Sequence, residues 1–130
     1  METTTKLRAL IAGIAVCMIV PLGAHHSWTV EYDGGKPISV KGVVSKVEWT
    51  NPHTHFYVDV RSDDGSMKTW NFEMASTLAL ERAGWSRKTL PIGVEVSVKG
   101  FAGRAVSERA IANSITAADG KLLFDGNVNQ

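Results

Sequence analysis

Apolar and polar residues alternate with a period of two in five stretches of this chain, and the period breaks once, between the third stretch and the fourth. That pattern constrains the fold more than any other feature. Ile38–Trp49 is rich in β-branched residues and is interrupted by Gly42, the mark of a bulge or a sharp coil within a strand. His55–Arg61 places Phe56, Val58 and Val60 on one face and His55, Tyr57 and Asp59 on the other. Asp63-Asp64-Gly65 reads as a hairpin turn, and Met67–Met74 alternates again through Trp70, Phe72 and Met74. Ser76 then caps a short predicted helix over Thr77–Ala83, which Gly84 stops. Val94–Phe101 and Arg109–Ala117 resume the period of two, and Lys121–Phe124 is read as a short tail. Three strands, a helix and two strands, with a long glycine-bent first strand, predict an all-β domain with one short helix. The architecture expected is a five-stranded OB-fold-like Greek-key barrel, with an SH3-like barrel or an open meander with one helix as the alternative.

Residues 1–24 read as a secretory signal. Lys6 and Arg8 give a basic start, Ala9–Val20 is apolar, and Pro21-Leu22-Gly23-Ala24 forms a small-residue exit. The apolar run is short for a membrane span, so no stable span is expected after cleavage. Cleavage after Ala24 leaves 106 of the 130 residues, enough for one domain. We assign residues 25–37 to an N-terminal arm and 38–124 to a single OB-like domain. Export places the protein in the periplasm. Cys17, the one cysteine, falls in the signal, so the mature chain has no disulfide and no thiolate ligand. The cut removes Lys6, Arg8 and Glu2 from totals of 14 basic and 13 acidic residues, leaving twelve of each. With both signs scattered and no basic stripe, nucleic acid is not an expected partner.

The four histidines form two tight pairs, His25-His26 and His53 with His55. The first pair would open the mature chain. A terminal histidine offers a metal both its α-amine and an imidazole nitrogen, and the amine's ordinary pKa of ~7.7–8.0 lets a metal displace its proton near neutrality. His53 and His55 share a strand face if the second strand extends back past Pro52. Each pair also has a plainer reading, as polar residues beside a cleavage site and as a turn and a surface strand residue. Together they suit copper, with zinc lower in intrinsic affinity for such nitrogen ligands. Glu73, on the opposite parity from Phe72, is expected to face outward. It is either solvated, or a carboxylate ligand, or placed to orient an imidazole. Trp28 is expected to pin the arm, while Trp49, Trp70 and Trp85 pack in the core or at its rim.

Serine elbows, phosphate loops and zinc-protease helices are absent from the sequence, so a non-enzymatic protein is expected. The function expected is metal binding, through His25, His26, His53 and His55. The alternative is a metal-free module that holds a peptide or small periplasmic ligand on an aromatic face of Trp49, Tyr57 and Trp85.

Ala24-His25-His26-Ser27, Glu48-Trp49-Thr50-Asn51-Pro52-His53, Trp70-Asn71-Phe72-Glu73 and Gly84-Trp85 resemble the small exported bacterial proteins of domain-of-unknown-function family 6152. The resemblance covers nearly all of residues 24–124. It implies export and a single β domain, and it brings no reaction. It also weights His25, His26 and His53 above His55.

Overall fold

The structure is a computed structural model and describes residues 28–126. A single helical turn, α1 (Trp28–Glu31), leads into the 17-residue strand β1 (Tyr32–Glu48). Next come β2 (His55–Arg61), β3 (Met67–Glu73), α2 (Thr77–Arg82), β4 (Glu95–Gly103), β5 (Arg109–Ala117) and β6 (Leu122–Asp125). The sheet order is β3-β2-β1-β4-β5-β6, and β3 also pairs with β5. That last contact, parallel from Asn71↔Arg109 to Glu73↔Ile111, closes the first five strands into a barrel. Every other pairing is antiparallel. A three-strand meander, a helix, a hairpin and a parallel closure of β3 on β5 make this an OB-fold.

Two boundaries differ from the expectation. Residues 32–37, assigned to the arm, begin β1, with Tyr32 opposite Gly103 and Pro37 opposite Phe101. The intervening glycines and lysine are irregular in register, and that irregularity hid the strand from an alternation test. The expected tail is β6, a sixth strand on β5, with Ile115 opposite Phe124. It was hidden because four residues are too few to show a period.

β1 serves two neighbours. Its first half pairs with β4 as far as Val43↔Glu95, and its second half pairs with β2 from Val43↔Asp59 onward. Gly42 lies where the strand changes partner. A Cβ there would stand 2.2 Å from the Asp59 carbonyl oxygen. The bulge itself falls later, between Val44 and Lys46, so Gly42 is required by close backbone approach.

The inward residues are those the alternation selects. Val44, Phe56, Val58, Phe72, Val98 and Ile115 are fully buried, and Phe56 stacks on Phe72 with ring centroids 5.1 Å apart. Such an aromatic pair adds about 0.5–1.5 kcal/mol beyond its area burial. Ser76 caps α2 by accepting from the Ala79 amide at 3.3 Å, and Leu80 carries the helix into the core. Gly84, at φ +88°, ends it, and the Trp85 amide bonds back to the Leu80 carbonyl at 2.9 Å.

Candidate functional site

The candidate site is built on Thr54. This residue is fully buried, its amide bonded to the Ala75 carbonyl and its carbonyl to the Met74 amide. With Thr54 turned inward, His53 and His55 on either side turn outward to the same face. The preceding loop is fixed against α2, because Asn51 Oδ1 accepts from the Thr77 amide at 3.2 Å and the Thr77 hydroxyl at 3.0 Å. The Asn51-Pro52 bond is cis.

The two imidazoles line a pocket of about 520 Å³ whose other walls include Trp28, Glu31, Tyr32, Glu73 and Arg109. His53 Nδ1 stands 2.6 Å from Glu73 Oε1. His55 Nδ1 stands 3.0 Å from Asn71 Oδ1, an oxygen that can only accept. Both rings therefore carry their proton on Nδ1 when neutral, and each Nε2 keeps its lone pair. Carboxylate and amide oxygens on the far nitrogen are the usual means by which a protein orients metal-binding imidazoles.

Glu73 is not the solvated carboxylate that its outward parity suggested. It is only 6% exposed. Its Oε2 accepts from the Tyr32 hydroxyl and from Arg109 Nη2 at 3.2 Å, while Oε1 takes His53. The parity was read correctly, but that face is covered by β1 and β5. Arg109 also donates through Nε to the Tyr32 oxygen at 3.2 Å and pairs with Glu31 at 3.4 Å. Burial, then the hydrogen bond and charge of Glu73, push the Tyr32 phenol above its ordinary range. Burial opposes the Arg109 charge, but Tyr32 and Glu73 outweigh it and hold the guanidinium pKa up. With neutral imidazoles the charged groups of the pocket are Glu31, Glu73 and Arg109, a balance that favours a cation.

His25 and His26 lie outside the described residues. Among the described residues, no three His, Cys, Asp or Glu side chains stand so as to hold a metal ion. Trp28 packs where the arm meets the barrel, its ring 5.7 Å from that of Phe101. Asp59, on the same strand face as His55, accepts from the Thr69 hydroxyl at 2.7 Å. Tyr32, Asn71 and Arg109 were not singled out in the sequence. Only Asn71, two residues before Glu73 on the same strand face, carried a local signal.

The aromatic face fares differently. Trp49 and Trp85 are 9% and 8% exposed and belong to the core cluster. Trp85 Nε1 donates to the Leu123 carbonyl at 3.1 Å, and its ring meets Phe124 edge-on. Tyr57 lies on β2 under the Lys46 ammonium, its hydroxyl donating to Glu48 at 3.1 Å. The three side chains do not form one exposed platform.

Among the described residues no helix is long and apolar enough to cross a membrane. No curated protein matches the chain. Two solved structures resemble it at low identity. One is the mitochondrial single-stranded DNA-binding protein Rim1 of S. cerevisiae, at 14% identity and a TM-score of 0.49, covering 70% of this chain and 96% of that one. The other is the N-terminal domain of PriB from Thermoanaerobacter tencongensis, at 16% identity and a TM-score of 0.47, covering 64% and 96%. The family of unknown function DUF6152 matches residues 14–112, most of the chain, and the protein belongs to that family.

Proposed function

We propose that this is a periplasmic, non-enzymatic copper-binding protein, its metal held at the pocket mouth by a processed N-terminus and the histidines of β2 and its leading loop. The α-amine and imidazole of His25 supply two ligands, His53 a third, and His26 or His55 completes the set. The observation that carries this reading is that His53 and His55 line one pocket with Trp28, each with an acceptor on Nδ1 that leaves its Nε2 lone pair free for a ligand. His25 precedes Trp28 by three residues, a reach of roughly 10 Å at about 3.3–3.6 Å per residue. The described residues do not complete a metal site by themselves, so the reading requires the terminal pair. Binding rather than catalysis is favoured because Glu73 is already committed to three partners and is not free as a general base.

The test is a copper(II) titration of protein beginning at His25 against the same protein with its α-amine acetylated. Acetylation keeps every side chain and removes the six-membered chelate of α-amine and imidazole Nδ1. Affinity should fall at least tenfold, and zinc should bind the processed form less tightly than copper. Equal affinities for the two forms refute the terminal chelate.

A further inference from the structure

Arg104 sits on the β4–β5 connection, outside the pocket. It grips the segment that leads to the N-terminus at three points. Its Nε donates to the Thr29 carbonyl at 3.1 Å, and its amide donates to the Glu31 carbonyl at 2.9 Å. Its Nη1 stands 3.5 Å from Asp33 Oδ2. Three residues earlier, on β4, Phe101 stacks on Trp28, and a Cβ at Gly34 would lie against that indole at 3.4 Å. α1 buries no residue of its own, so a four-residue turn depends on such outside contacts, the Glu31–Arg109 pair at 3.4 Å among them.

We infer that Arg104 is a positioning residue: it latches α1 to the β4–β5 turn and thereby delivers the N-terminal ligands to the pocket. This rests on the copper reading for its consequence but not for the latch itself. A ligand pair on a free arm must be ordered when the metal binds, and a latched arm has met part of that cost beforehand. Linkage makes the effect reciprocal: whatever factor the latch adds to copper affinity, copper adds to the stability of the latch.

The experiment compares the wild-type processed protein with Arg104→Ala and Arg104→Lys. Arg104 is absent from the pocket wall and its side chain is 49% exposed, so the barrel should fold in all three. In metal-free protein, amide exchange over residues 29–36 should speed up in Arg104→Ala. Copper(II) affinity should drop about tenfold, toward the low end of common site-to-site couplings. Arg104→Lys keeps a charge for Asp33 but not the planar donor to Thr29, so it should recover part of both effects. Copper should slow exchange in the segment by the same factor that the latch adds to affinity.

Unchanged exchange in metal-free Arg104→Ala overturns the latch. Faster exchange with unchanged copper affinity overturns the delivery role. If the wild type binds no copper, the metal reading falls and the delivery role with it, while the exchange difference still decides whether Arg104 holds the segment.

Discussion

Glu73→Gln isolates what the buried carboxylate does, because the replacement has nearly the same shape and carries no charge. Glu73 receives two donors on one oxygen, Tyr32 and Arg109, and faces the His53 imidazole with the other. A glutamine has one oxygen to offer. Turning its NH₂ toward Tyr32 and Arg109 would set donors against donors in a buried place, so the oxygen should stay there. The NH₂ then points at His53 Nδ1, which must become an acceptor. The neutral ring moves its proton to Nε2, the nitrogen that the copper reading assigns to the metal. The fold should survive, since Arg109 keeps Glu31 at 3.4 Å and the Tyr32 oxygen at 3.2 Å. The charge-assisted component of the Glu73 bonds is lost, a cost of about 1.5–3 kcal/mol. Copper affinity should fall about 10–100-fold, the usual consequence of removing a group that orients a metal-binding imidazole. Nitrogen chemical shifts of His53 in metal-free protein separate the two tautomers directly, and denaturant unfolding gives the stability change. A His53 ring that still carries its proton on Nδ1 in Glu73→Gln would refute the reasoning.

Three further outcomes follow from the packing. Because the Tyr32 phenol is raised in the folded state, folded protein keeps that proton where the unfolded chain loses it, so stability should fall as pH rises through about 10 and beyond. Tyr32→Phe should be less stable than wild type near neutrality and should lose part of this alkaline decline, which unfolding curves between pH 8 and 12 will show. Gly42→Ala should destabilise by about 1–3 kcal/mol, since its methyl meets the Asp59 carbonyl where neither strand can retreat without breaking the pairing; a Tm equal to wild type would contradict the close approach. Trp85→Phe removes the donor to Leu123 and shrinks the ring against Phe124, so amides of β6 should exchange faster than those of β2, where nothing has changed.

The barrel was legible because a period of two has one consequence in a small closed sheet: every second residue goes inside. Phe56, Val58, Phe72, Val96 and Val98 alternate in sequence and are all buried. The helix was legible for a different local reason, the capping serine and stopping glycine at Ser76 and Gly84. What local pattern cannot convey is pairing. The strand that begins at Tyr32 is irregular, with its register shifting between Tyr32 and Pro37, and only its partner β4 defines it as a strand.

The candidate site shows the same limit more sharply. Outward parity at Glu73 and His53 says which side of β3 and of the loop before β2 they occupy, not what lies on that side. Here the outward side of one strand is roofed by others. The parallel closure sets Arg109 opposite Asn71, one strand step from Glu73, and the start of β1 brings Tyr32 across 41 residues of sequence. Paired histidines were visible as residue types with metal chemistry. The groups that fix their tautomers were not, because a tyrosine, an arginine and an asparagine at those separations look like ordinary strand residues. The arrangement also argues against reading the carboxylate as fold stabilisation alone. A buried ion pair returns little net stability against well-packed apolar side chains, and this one places its remaining oxygen on an imidazole that opens to solvent. Under the proposed copper reading, Oε1 orients His53 while the Oε2 contacts to Tyr32 and Arg109 hold the carboxylate in place.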